Sequence, residues 1–313
     1  MRVVVLMSTY GGEKYVEEQI ASILNQLPPE GRLIVRDDGS RDATPEVVAR
    51  IRDPRITLVR GENQGFVRSF LGLVACAPDD AEMVMLADQD DLWLPDKIER
   101  AWRVIGAGGS VPTLYCSRLQ LVDAALQPMG LSPLWSRPPL FANALTENVV
   151  TGCTAALNPA ALALLRNNGD MGKIHFHDWW LYLVVSAFGR VVFDPQPTIL
   201  YRQHGTNVIG MGEGLARYLG ILRFLRKHDW VRIMFNQIEN FRAVHGGRLD
   251  PTHRRLLDSA FDPHDWRAMA RLILAPRQWR QTLAGDLLFR ALVAAGLVAG
   301  RVLQPRHPAS GSP

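Results

Sequence analysis

The first ninety residues alternate short β-branched runs with segments whose apolar residues recur at helical spacing, and no other feature restricts the fold of this chain so tightly. Residues 2–10, RVVVLMSTY, read as a buried strand. Val16, Ile20, Ile23 and Leu24 then follow at i, i+4, i+7 and i+8, one face of an amphipathic helix. RLIVRDDGS (32–40) is a second strand, and TPEVVARI (44–51) a helix with Thr44 as N-cap and Pro45 at its first position. RITLVRG (55–61), FVRSFLGLVACA (66–77) and EMVMLAD (82–88) continue as strand, helix and strand. Such alternation predicts an α/β chain, with a mostly parallel sheet covered by helices on both faces. Ligands of such sheets bind at the carboxyl ends of the strands.

Those ends are polar throughout. They read Ser8-Thr9-Tyr10, Asp37-Asp38-Gly39-Ser40, Asn63-Gln64-Gly65 and Asp88-Gln89-Asp90-Asp91, all converging on one edge. Three close carboxylates resist joint ionisation unless a cation sits among them, and Mg2+ or Mn2+ prefers oxygen ligands. Either Asp90 or Asp91 alone could serve merely to cap the next helix; the run of three asks for more. A carboxylate at Asp37 can accept from a nucleobase N–H or a ribose hydroxyl. The first turn carries neither G-x-G-x-x-G nor G-x-x-x-x-G-K-[ST], which leaves metal as the main neutraliser of any bound phosphate.

A length of 313 residues suggests one large domain plus an appendage. Mean hydropathy of −0.02 describes an ordinary soluble protein. The three cysteines, Cys76, Cys116 and Cys153, show no C-x-x-C spacing and fit a reduced, cytoplasmic setting. At the N-terminus polar residues and glycines come too early for a signal peptide. Beyond Pro95, which with Asp96 marks a helix start, TLYCSRLQLVD (113–123) is a strand candidate. LSPLWSRPPLFANAL (131–145) reads as a loop over the site. HDWWLYLVVSAFG (177–189) reads as a buried helix beginning at His177-Asp178.

Seven blocks, in order, resemble the family 2 glycosyltransferases of GT-A fold, and more narrowly their bacterial rhamnosyltransferase-like branch. They are MSTYGGEKYVEEQIASILNQ, VRDDGSRDAT, ENQGFVRSF, LADQDDLWLPDKIE, TGCTAALN, HDWWLYLVV and YRQHGTNVIG, spanning about residues 2–210. The resemblance implies a catalytic domain over 1–213, with a Rossmann-like nucleotide-sugar half to about 105 and an acceptor half from about 106. It implies that Thr9, Tyr10 and Glu13 line the base and ribose site, with Asp38 reading the pyrimidine edge and Asp37 nearby. Asp88 and Asp90 match the family's D-x-D, Asp90 as the direct metal ligand and Asp88 nearer the ribose or a metal-bound water; Asp91 extends the motif as a support or helix-start residue. Arg68 is a candidate donor contact, Arg202 and Gln203 are donor-phosphate or loop-closing residues, and His204 is a further metal or phosphate ligand.

Family members of this type invert the anomeric centre by a single displacement, with a carboxylate deprotonating the acceptor hydroxyl. Asp178 is the candidate base. The helix dipole there favours its ionised form, so partial burial is needed to keep it basic. Gly152, Cys153 and Thr154 fall in the acceptor-side loop, where Cys153 is expected to pack. Adjacent Trp179 and Trp180 cannot share one helix face; one is expected in the core and the other against a sugar ring. The implied donor is a nucleotide-diphosphate sugar, dTDP-rhamnose favoured and a UDP-sugar the alternative. The implied acceptor is a glycan or polyprenyl-linked glycan of a surface polysaccharide. Position 11 departs from the branch, glycine standing where asparagine is frequent. No Q-x-x-R-W block is present, which favours single-sugar transfer.

Charge divides the chain. Residues 1–213 carry 19 Lys and Arg against 24 Asp and Glu, whereas residues 214–313 carry 16 against 7. This basic region reads as helical, ending in a disordered tail at 304–313. Two readings stand: a peripheral amphipathic helix on the anionic inner face of the cell membrane, or a helical subdomain packed on the catalytic core. Leu287 to Gly300, interrupted by Arg290, is too short to span a bilayer. No nucleic-acid motif stands out. Two other classes compete with the transferase: a sugar nucleotidyltransferase, which would want a glycine-rich basic loop after the first strand, and an inactive glycosyltransferase-like binding module.

Overall fold

The computed structural model describes residues 1–203 and 229–298. The alternation is realised as β1 (Val3–Thr9), α1 (Val16–Leu24), β2 (Arg32–Asp37), α2 (Thr44–Arg50), β3 (Ile56–Arg60), α3 (Phe66–Ala75) and β4 (Met83–Ala87). β5 (Leu92–Trp93), α4 (Lys97–Ile105), β6 (Thr113–Val122), β7 (Pro128–Leu131) and α5 (Phe141–Ala144) follow. β8 (Ala156–Leu157), α6 (Pro159–Leu165), α7 (His177–Phe188) and β9 (Arg190–Arg202) come next. The C-terminal helices are α8 (Trp230–His245), α9 (Pro251–Ala260), α10 (Trp266–Leu274) and α11 (Leu283–Val298).

One nine-stranded sheet runs β3-β2-β1-β4-β8-β6-β9-β5, with β7 on β6. β1 to β4 pair in parallel, as do β6 and β9, while β8, β7 and β5 join antiparallel. Side chains alternate across the sheet and divide the core in two. Val4, Leu6, Val84, Leu86 and Leu114 face one apolar layer; Val3, Val5, Met7, Met83 and Met85 face the other. The first layer continues without a break into Phe235, Phe241, Met269, Trp279 and Phe289 of the C-terminal region.

Polar contacts reinforce that junction. Asn143 Nδ2 donates to Trp279 O at 2.9 Å, and Glu147 accepts from Gln281 N at 2.6 Å. The stretch 131–145, expected as a loop over the site and not as a core element, is a loop only over 132–140. Its end forms α5, with Phe141, Ala144 and Leu145 buried in the core, and Arg137, which donates to Arg280 O, fastens it to the same region. The basic C-terminal helices are therefore packed on the core, as one of the two readings held. No helix among the described residues is long and apolar enough to cross a membrane.

The start of α2 corrects one expectation. Thr44 is not the N-cap but the first helical residue, its Oγ1 accepting from Gly12 N at 2.7 Å. Asp42 and Glu13 serve that helix end instead, accepting from Thr44 N and Ala43 N. A threonine hydroxyl bonding across to the first loop ranks above a local cap here because it joins two strand ends.

Candidate active site

The strand register brings the polar ends together. Thr9 lies opposite Asp37 and Met7 opposite Ala87, so the loops after β1, β2 and β4 leave one edge side by side. They grip each other: the Gln89 amide accepts from Tyr10 N at 2.8 Å and donates to Tyr10 O at 3.0 Å, while Ser40 Oγ accepts from Gly11 N. Gly11 has φ of +63° with open space around its absent Cβ. Asparagine tolerates that left-handed conformation better than most residues, so either residue fits position 11. The Tyr10 ring stands out from this edge, exposed.

Asp37 and Asp38 are both buried and build the edge. Asp37 accepts from Thr9 Oγ1 at 3.1 Å and from Ser40 N at 3.0 Å. Asp38 pairs with Arg36 and accepts from Gln64 N and Gly65 N at 3.1 and 2.9 Å, which ties down the loop after β3. Glu13 and Arg68 are exposed near the same loops.

Behind the loop after β4 lies the acid cluster. Carboxylate oxygens of Asp88 and Asp91 and the sulfur of Cys153 lie within 4.8 Å of one another. Burial, then the charges of Asp90 and Asp178, push Asp88 up to about 7. Burial, then Asp88 and Asp90, hold Asp91 well above the usual carboxylate range. Asp91 Oδ1 accepts from Arg202 N at 3.3 Å, whereas its buried Oδ2 has no hydrogen-bond partner. An orphaned carboxylate oxygen among mutually repelling acids suits a hard divalent cation, so these residues fit the metal that the motif implies. Cys153 does not join as a ligand on this chemistry. Burial and the neighbouring carboxylates keep its thiol protonated, and it serves them as a hydrogen-bond donor.

Asp91 is thus no helix-start residue: β5 separates it from α4, and it sits in the cluster, 1% exposed. Sequence reasoning also passed over Lys97, whose whole side chain is buried beneath the acids, 4.8 Å from the Trp93 ring and 3.4 Å from Thr198 Oγ1. Burial pushes this ammonium down to about 8 despite the nearby carboxylates. A lysine in the first turn of a helix carries no sequence signal that would distinguish it from a surface residue.

Asp178 opens α7 from inside. The N-cap is Phe176, without a side-chain cap, and Asp178 accepts from Trp179 N at 2.7 Å. Asn148 and the Gly152 backbone also hydrogen-bond it, yet burial outweighs them and raises its carboxyl to about 6. Cys153, whose sulfur lies within 4.8 Å of the Asp88 and Asp91 oxygens, follows Gly152, whose backbone hydrogen-bonds Asp178, so the acid cluster adjoins the base candidate. His177 beside it is neutral, lowered by burial to about 3, and stacks on Phe70 at 4.3 Å. A Cβ on Gly152 would meet His177 Nε2 at 2.5 Å. Gly152→Ala therefore shifts the strand of contacts that aims Asp178, and a displacement of about 1 Å lowers turnover by up to about a hundredfold. Steady-state kinetics with unchanged donor KM checks this; wild-type turnover contradicts it.

Gly152, Cys153 and Thr154 form one buried turn beside β4, with Thr154 Oγ1 donating to Thr151 O at 2.7 Å. Neither tryptophan is available for a sugar. Trp179 stacks on Trp230 at 5.5 Å and donates to Ala144 O; Trp180, fully buried, donates to Asn168 Oδ1 at 2.8 Å. The expectation that one of them lies against a sugar ring fails because α7 is enclosed on all sides, so adjacent positions are both core. Arg202 is buried, pairs with Glu18 and lies 4.7 Å over the Tyr15 ring, closing β9 onto α1. Gln203 N donates to Val122 O at 2.8 Å, and His204 lies outside the described residues.

Residues 4–160 match the family model described as Glycosyl transferase family 2. The chain belongs to glycosyltransferase family 2. Among relatives of this family 2 enzyme, the dTDP-rhamnosyl transferase RfbG of Shigella flexneri is 27% identical, over 76% of this chain and 84% of its own. EpsH of Bacillus subtilis, likewise named a glycosyltransferase, is 31% identical over 77% of this chain and 74% of its own. Solved structures share the GT-A fold. S. aureus TarS 1–349 superposes with a TM-score of 0.62 at 15% identity, covering 96% of this chain and 88% of that one. The mannosyltransferase PcManGT from Pyrobaculum calidifontis, in complex with GDP-Man and Mn2+, gives 0.53 at 20% identity, covering 99% and 76%. Family membership decides against the nucleotidyltransferase class.

Proposed function

We propose that this family 2 enzyme transfers rhamnose or a related deoxysugar from a dTDP donor to a glycan or polyprenyl-linked glycan acceptor, with inversion. The observation that carries the reading is that the Gly152–Thr154 turn links a partly buried carboxylate, Asp178, bonded by the Gly152 backbone, to the acidic sheet edge, where Cys153 lies within 4.8 Å of the Asp88 and Asp91 oxygens. Similarity to a dTDP-rhamnosyl transferase over 76% of the chain supports the donor. TarS is also solved in complex with UDP-GlcNAc, at 15% identity, which keeps a UDP-sugar as the second reading.

Asp178 takes the proton of the acceptor hydroxyl as that oxygen attacks the anomeric carbon. The bond from that carbon to the diphosphate oxygen breaks, and the nucleoside diphosphate leaves from the opposite face. Asp90 and Asp88, with the orphaned oxygen of Asp91, would hold Mg2+ or Mn2+, whose charge neutralises the diphosphate. Thr9, Tyr10 and Asp38 are the proposed nucleoside contacts.

A thermal-shift panel tests the donor. At about 100 times its Kd, dTDP-rhamnose with Mn2+ stabilises the protein by about 2.7 kcal/mol, several degrees of melting temperature. A larger shift with UDP- or GDP-sugars at equal concentration overturns the dTDP assignment.

A further inference from the structure

The last described helix is apolar on both faces. Phe289 and Val293 of α11 enter the core, while Leu283, Leu287, Leu288, Ala291, Ala295 and Val298 are exposed on it. These six recur at steps of one, three and four residues, a stripe along about 22 Å of helix. Leu283 and Leu287 are 65% and 59% exposed. α11 carries only two charges, and both turn inward. Asp286 is buried, and Arg290 donates to Arg277 O, Ala275 O and Asp286, closing the end of α10. The arginine that interrupts this apolar run in the sequence therefore leaves the outer stripe uncharged. α10, packed against α11, adds exposed Trp266 and Leu274 together with exposed Arg267 and Arg271.

From Trp266 to Val298 the sole acidic residue is the buried Asp286, so the exposed surface of this helix pair is apolar and cationic only. We propose that α10 and α11 dock the enzyme on an anionic lipid bilayer, with the α11 stripe entering the interface and Arg267, Arg271 and Arg277 meeting lipid headgroups. A second copy of the chain is a poorer occupant. A two-fold contact on this face would bring these arginines together with only Asp265, the cap of α10, beside them. Residues 204–228 and 299–313 are poorer too, since they carry an excess of Lys and Arg of their own. The inference is independent of the donor and acceptor reading.

Co-sedimentation of the full chain with phosphatidylcholine vesicles, plain or containing phosphatidylglycerol at roughly one part in three, tests it. Binding is expected on the anionic vesicles, weakening with added salt, and at least about tenfold weaker on the plain ones. Leu287→Asp with Leu288→Asp lowers partitioning by about a hundredfold. Arg267→Glu with Arg271→Glu and Arg277→Glu lowers it by at least as much. All five positions are exposed, and an unchanged melting temperature and circular-dichroism spectrum certify each variant as folded. Absence of wild-type binding, equal binding to both vesicles, or unaltered binding by the variants overturns the proposal. A concentration-dependent dimer abolished by the leucine substitutions overturns it in favour of self-association.

Discussion

Asp178→Asn is expected to lower turnover by about 10²- to 10⁴-fold while leaving donor affinity within about twofold of wild type. The substitution keeps the shape of the side chain and removes a carboxylate that burial already disfavours in its charged form. Trp179 N donates to it at 2.7 Å, and an amide oxygen accepts that bond equally well. The amide nitrogen takes the place of an oxygen that accepts from Asn148 or the Gly152 backbone, so an unchanged melting temperature separates loss of proton acceptance from loss of fold. The pH profile supplies a second readout. With the Asp178 carboxyl raised to about 6, the base is protonated below that value, so turnover at saturating donor falls as pH is lowered through about 6 and is flat above it. In the asparagine variant that descent disappears. Near-normal turnover in the variant, or an unchanged acid limb, places the base elsewhere.

Much of this site was legible in the sequence because the α/β alternation fixes where strand ends meet, and the polar ends fall at Thr9, Asp37 and Asp88. Local rules failed where a residue answers to a distant partner. Thr44 looks like a cap and instead joins the first loop through Gly12. Asp91, expected as a support or a helix start, starts no helix and fastens the acidic loop to Arg202, 111 residues away. Trp180 follows Trp179 on a helix already read as buried, and α5, α6 and α8 enclose it so that neither ring is left for a sugar. Lys97 could not be singled out, since burial of a lysine depends on the sheet above it and on Thr198 from β9. The charge step at the C-terminus was visible, but not that Arg290 folds inward and leaves an uncharged outer face on α11.

The second large effect is expected at Asp90. Two of its neighbours are strained by charge: burial and Asp90 raise Asp88 to about 7, and burial, Asp88 and Asp90 hold Asp91 well above the usual carboxylate range. Removing one carboxylate relieves that repulsion, so Asp90→Ala is expected to fold as well as wild type or better without metal. On the proposed assignment of Asp90 as a metal ligand, the same loss removes a ligand oxygen, and metal-dependent donor affinity falls by about a hundredfold or more. Asp38→Ala, by contrast, frees Arg36 and the loop at Gln64 and Gly65, so it weakens the edge itself rather than the metal response.

Isothermal titration of dTDP into wild type and Asp90→Ala, each with excess Mn2+ and with a chelator, addresses the acidic edge as a metal-diphosphate site most directly. Wild type is expected to bind about a hundredfold or more tightly with Mn2+ than with chelator, and Asp90→Ala to bind weakly in both. Equal wild-type affinity with and without metal, or a Mn2+ response retained in Asp90→Ala, would contradict it.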